Sequence, residues 1–190
     1  FTPKHEVNLC GHATLAAAHV IMRHLNVLDC NKIIFTTQER GDLLATYKGD
    51  HQYQLDFPAI EMNRIFEPPR DLLSAFDIQP QEVHAELDYV LVFDNELQVR
   101  NTQVDISSLL SLDRRGVVIT APGEKDDFVS RCFYPKYNVT EDPVTGSAHC
   151  MLMPLWAKRT GKNKLVAYQA SPRGGRIVCQ LDNDRVLLQG

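Results

Sequence analysis

The sequence predicts an α+β protein of two similar halves, each built around one apolar helix. Three observations lead there. The stretch F-T-P-K-H-E-V at 1–7 reappears as F-Y-P-K-Y-N-V at 133–139, with Phe, Pro, Lys and Val in matching places. Each copy leads to a glycine that opens an apolar run, Gly11-His12-Ala13 and Gly146-Ser147-Ala148. Around these runs the chain divides into short alternating segments separated by turn residues, the pattern of strands. A repeat at so long a spacing reads as an internal duplication, not a solenoid. The halves are set at 1–65 and 66–190.

Taken in order, residues 8–25 read as the first central helix, with Asn8 as cap and many helix formers inside. It is apolar on nearly every face, which predicts an enclosed helix. Residues 32–37 read as a strand, and 43–48 and 52–57 as a hairpin turning at Gly49-Asp50-His51. Pro58 closes that block, and Pro68-Pro69 marks a linker. A short helix at 70–76 follows, then strands at 83–93 and 96–100 around Asp94-Asn95. Another short helix is expected at 106–112 and strands at 116–121 and 128–134. The second central helix is 146–160, and strands at 165–169, 176–181 and 185–188 close the chain.

Composition narrows the function classes. The chain has 190 residues, 44% hydrophobic and 23% charged, so disorder does not describe it. Twenty basic and 24 acidic residues give a net charge of −4, against the basic excess usual in nucleic-acid binders. No apolar run approaches the roughly 20 residues needed to cross a bilayer. The five cysteines, Cys10, Cys30, Cys132, Cys150 and Cys179, are odd in number and form no C-x-x-C. They read as reduced thiols in a cytoplasmic protein. The expected partner is a small metabolite; neither nucleic acid nor membrane is expected, and a homodimer is among the expected assemblies.

If the two halves oppose equivalent faces, both helix starts meet in a cleft. Each start offers unpaired N–H groups and the positive end of a helix dipole, a pairing that favours an anion. The expected substrate therefore carries a carboxylate. Glu141-Asp142-Pro143-Val144-Thr145-Gly146-Ser147-Ala148-His149 is the densest polar cluster ahead of an apolar helix. Asp142 reads as a general acid or base, or as a cap of the turn. His12 reads as a group exchanging protons near neutral pH, or as a polar residue at a helix start. Ser147 reads as a hydroxyl donor to substrate, or as a cap. Cys10 reads as a nucleophile at a helix start or a small buried thiol. Its repeat counterpart is Thr145, which weakens a two-thiol reading. No His/Cys pair has zinc spacing, so no metal is expected. Ser171-Pro172-Arg173-Gly174-Gly175 reads as a turn, either a backbone nest or an ordinary hairpin loop.

The motifs F-T-P-x-x-E-V-x-x-C-G-H-A-T-L-A-A-A at 1–18 and E-D-P-V-T-G-S-A-H at 141–149, with the Arg173-Gly174-Gly175 turn, resemble the PhzF-like isomerase family of phenazine biosynthesis. The resemblance covers the chain in order. It implies a diaminopimelate-epimerase-like fold: two pseudo-symmetric halves, each a mixed β-sheet curled around a central helix. It also implies a cofactor-independent isomerase that moves a proton next to a carboxylate. Carried over by motif, Asp142, His12 and Ser147 match catalytic positions, and Gly11, Ala13 and Gly146 match backbone donors to the carboxylate. Similar proteins place a strand and a catalytic glutamate ahead of the F-T-P motif. Glu6 is not that residue, so a preceding segment is expected and this chain is read as a fragment. The alternatives are a thiol-dependent amino-acid racemase or epimerase, or a non-catalytic member that binds a metabolite or protein.

Overall fold

The structure is a computed structural model and describes residues 11–25, 31–37 and 41–190. The first repeat copy, Cys10 and Cys30 lie outside the described residues. Helix α1 is Gly11–Arg23; strands β1 (Lys32–Thr37), β2 (Gly41–Gly49), β3 (Gln52–Pro58) and β4 (Asn63–Ile65) follow. Then come α2 (Arg70–Ser74), β5 (Glu82–Ala85), β6 (Tyr89–Val92), α3 (Glu96–Asn101), β7 (Val117–Pro122) and β8 (Phe128–Phe133). Helix α4 (Gly146–Thr160) precedes β9 (Lys164–Gln169), β10 (Gly175–Asp182) and β11 (Arg185–Gln189). This is the α+β composition expected, with α4 at its expected bounds.

The strands form one mixed sheet in the order β1-β2-β3-β11-β10-β9-β8-β7-β6-β5-β4. Only β6/β7 and β8/β9 run parallel; every other pair is antiparallel. The β2–β3 hairpin turns where expected, with Asp50 at φ 47° and His51 at φ 62°. Two successive left-handed residues match the turn's twist to that of the strands.

Two apolar clusters flank the sheet. One joins α1 and α4 to β2, β3, β9, β10 and β11 through side chains such as Ala18, Leu55, Phe57, Met151 and Leu188. The other packs α2 and α3 on β5–β8 through Leu72, Leu91, Phe93, Val99 and Ile119. Alternate residues of β8 serve different clusters, since side chains on a strand point alternately to opposite faces. Phe128 and Cys132 face the first, Val129 and Phe133 the second.

Helix α4 is enclosed: residues 147–154 and Trp156 are all buried. Trp156 stacks on Phe128 with centroids 5.6 Å apart and donates its indole N–H to Thr120 Oγ1 at 3.0 Å. Pro154 has no N–H to give the carbonyl four residues back. That carbonyl, of Cys150, accepts instead from the Ile60 amide at 3.0 Å, so an interior proline becomes an attachment point. Gly161 ends the helix in the left-handed conformation, φ 73°.

Three sequence expectations need correction. Helix α1 is not enclosed by the described residues: only Gly11, Ala18 and Met22 are buried, and Val20 is 45% exposed. It rests on β2, β3 and α4. Residues 83–93 are two strands, because the chain reverses at Leu87-Asp88. Residues 96–100 are helix, not strand. Asn95 Oδ1 accepts from the Gln98 amide at 3.0 Å, and Gln98 Oε1 accepts from the Asp94 amide at 3.0 Å. That bonding is like a capping box, but the Gln98 side chain reaches the amide one residue before the cap. The Arg100–Glu96 pair, 2.6 Å, reinforces it one turn on. No helix of the described residues is long and apolar enough to cross a membrane.

Candidate active site

The starts of α1 and α4 touch. A Cβ built on Gly11 would lie 3.7 Å from Gly146 Cα, and one built on Gly146 would lie 3.8 Å from Gly11 Cα. Phe57 packs beneath both. These are ordinary van der Waals distances, so the two helix starts lie directly against one another. Two positive dipole ends, each with first-turn N–H groups lacking intrahelical partners, are brought to one place.

The loop leading into α4 is tied down by groups from two strands and a turn. The Asp142 amide donates to Cys132 O at 2.8 Å, at the end of β8. Glu141 takes both Nε and Nη2 of Arg131, at 2.8 and 3.0 Å. Buried Gln169, closing β9, accepts from the Thr145 amide at 2.7 Å and donates to Asp142 O at 2.7 Å and Thr145 Oγ1 at 3.1 Å. Ser171 Oγ donates to Pro143 O at 2.7 Å and accepts from the Gly174 amide at 3.0 Å. The Ser171–Gly175 turn therefore braces this loop. Gly175 fits there because a Cβ would come 2.5 Å from Val144 Cγ2.

Thr145 precedes α4 but makes no side-chain cap; its hydroxyl donates to Asp142 Oδ2. Asp142 is therefore partnered to the loop and caps nothing in α4. Its carboxylate is half-buried beside the helix start. Ser147 is the second residue of α4, not a cap, and its Oγ accepts from Arg115 Nη2 at 3.1 Å. His12 and Ala13 are exposed on the first turn of α1, next to Gly11. The structure thus brings Gly11, Gly146, Ser147 and Asp142 together, with His12 and Ala13 one step along α1.

Neither Arg115 nor Asp88, which holds it, stands out in the sequence. Its Nε and Nη2 bind Asp88 Oδ1 and Oδ2 at 2.8 and 2.6 Å. The Tyr134 hydroxyl donates to Asp88 Oδ2 at 3.0 Å. Burial alone would lower the pKa of Arg115, but the hydrogen bonds and charge of Asp88 outweigh it and hold the guanidinium protonated. Burial, then the Asp88 charge, raises the Tyr134 phenol well above its ordinary value.

The described thiols near the site, Cys132 and Cys150, are poor nucleophiles. Burial raises the Cys132 pKa, with the Asp142 and Asp88 charges adding to it, and pushes Cys150 up to about 12. His149 is wholly buried; its Nδ1 lies 2.7 Å from Thr145 O, so that nitrogen carries the proton. Burial lowers its pKa to about 4 and keeps the ring neutral. Among the described residues no group of three or more His, Cys, Asp or Glu side chains is placed to hold a metal ion.

A family model for phenazine biosynthesis-like proteins, PhzC-PhzF, matches residues 1–190. The chain is 41% identical over 193 residues to an uncharacterised isomerase of Halalkalibacterium halodurans, covering 100% of this chain and 72% of the relative. A PhzF-family crystal structure from Enterococcus faecalis superposes with a TM-score of 0.92 at 41% identity, over 100% of this chain and 72% of that one. A hydroxyproline epimerase of Agrobacterium vitis shares the fold alone, with a TM-score of 0.57 at 10% identity over 99% of this chain and 64% of that one. Motifs, fold and whole-chain match agree: the chain belongs to the phenazine biosynthesis-like PhzC-PhzF family, whose curated bacterial relatives are labelled isomerases.

Proposed function

We propose that the protein is a cofactor-independent isomerase, moving a proton next to the carboxylate of a small cyclic or amino-acid-like metabolite. The observation that carries this reading is the contact between the starts of α1 and α4 beside Asp142. The substrate carboxylate accepts from the N–H groups around Gly11, Ala13 and Gly146. Removing a proton from the adjacent carbon pushes negative charge onto that carboxylate. The two helix starts favour the developing charge without having to reorganise. Asp142 serves as the acid or base, Ser147 donates its hydroxyl to a substrate oxygen, and His12 exchanges a proton at the mouth of the cleft. The same proton count enters and leaves, so the net reaction is an isomerisation. The test is deuterium incorporation from heavy water across a panel of small carboxylates. Asp142→Asn should lower exchange by about 10²–10⁴. Its amide oxygen still accepts the Thr145 hydroxyl, so the fold should persist. Unchanged exchange in Asp142→Asn would return Asp142 to a purely structural part.

A further inference from the structure

We propose that Arg115, locked by Asp88, is a positioning residue that turns the Ser147 hydroxyl proton into the cleft at the start of α4. This rests on the carboxylate site proposed above and adds a residue to it. Asp88 is fully buried, yet three hydrogen bonds hold it: two from Arg115 and one from Tyr134. The Tyr134 ring lies under the guanidinium, 5.2 Å from its centroid. Gly116 makes room for that ring, since a Cβ there would collide with it and come 2.5 Å from Phe133 O. The guanidinium is planar and fixed in bidentate geometry, so its remaining N–H directions are fixed as well.

One of those directions ends on Ser147 Oγ. A guanidinium only donates, so the serine oxygen must accept there, and its own O–H must point elsewhere. The first-turn N–H groups of α4, which have no partner within the helix, lie alongside. The pair Asp88–Arg115 carries no net charge and draws an anion little by long-range attraction; its effect is to orient the hydroxyl. Asp88 and Arg115 lie in loops bordering β6 and β7, and Tyr134 just past β8. A buried ion pair of this kind is weak evidence for stability in itself, and its contact with Ser147 gives it a different use.

The experiment titrates the protein with inorganic sulfate and follows the Gly146, Ser147 and Ala148 amide shifts by ¹⁵N NMR. The variants are Asp88→Asn with Arg115→Met, which leaves no unpaired charge, and Arg115→Lys, which keeps the charge but loses the planar fork. Each is also made with Ser147→Ala. The neutral pair should weaken sulfate binding about tenfold and the lysine variant about threefold, with neither effect seen once Ser147 is alanine. If the neutral pair does not fold, the lysine variant decides by the same criterion. Wild-type affinity in the Arg115 variants, or equal losses with and without Ser147, overturns the positioning role while leaving the anion site standing. Absence of any shift at these amides in the unaltered protein overturns the anion site, and the positioning role with it.

Discussion

Helices α1 and α4 open on glycines in equivalent repeat positions and carry similar apolar runs, yet their surroundings differ. Nine residues of α4 are buried and three of α1. The difference teaches that an apolar sequence states what a helix can be packed against, not how much of it the chain covers. Helix α4 lies against β9, β10 and β11, with Phe128 of β8 stacked on Trp156. Its start is tied by Gln169, Arg115 and the 141–145 loop. Helix α1 leans on β2 and β3 and turns Val20 outward. The start of α4 is held from several sides, and the start of α1 meets it at Gly11.

The sharpest way to break this comparison is to truncate an equivalent kind of side chain in each helix. Leu152→Ala in α4 should cost about 2–5 kcal/mol, because the surrounding strands cannot collapse onto the cavity. Val20→Ala in α1 should change stability by less than about 0.5 kcal/mol. Urea unfolding of both variants checks it; equal losses would mean that α1 is covered as fully as α4.

A second test uses pH. His149 titrates near 6.5 when unfolded and at about 4 in the folded protein. The unfolded chain therefore binds the extra proton first, and stability falls as pH drops from about 6.5 to about 4. Below that window the contribution, up to about 3 kcal/mol, is fully lost. His149→Gln should flatten this part of the stability-against-pH curve. A curve unchanged by the substitution would place His149 in contact with solvent.

Gln169→Leu sharpens the account of how the α4 start is held. It leaves the Thr145 amide and the Asp142 carbonyl without their partner, at about 1–3 kcal/mol for a buried unpaired group. Thermal unfolding should record that loss, and exchange into a substrate should fall with it.

Much of the fold was legible because it rests on local signals. Alternation and turn residues gave the β2–β3 hairpin and the closing strands, and Gly146 and Gly161 bracket α4 in sequence as in structure. Helix α3 was misread because Leu97 and Val99 alternate with polar residues, as in a strand; the decisive sign was Asn95 three residues before Gln98. Asn95→Ala should cost about 1 kcal/mol, read by urea unfolding. The turn at Leu87-Asp88 was hidden because His84, Glu86 and Asp88 alternate with apolar residues as in one continuous strand, and the aspartate is buried. At the site, Asp142, Gly146 and Ser147 could be found because they adjoin one another in a motif. Arg115, Asp88 and Gln169 could not, since they lie 24 or more residues from the side chains they hold. Nothing local marks a residue whose role depends on a distant partner.

The most direct measurement of the central claim is a crystal of the protein soaked in selenate, read by anomalous scattering. The account predicts a selenium peak where α1 and α4 meet, within hydrogen-bond reach of the N–H groups of Gly146, Ser147 and Ala148. A structure in which selenate occupies other surface sites while this junction holds none would contradict it.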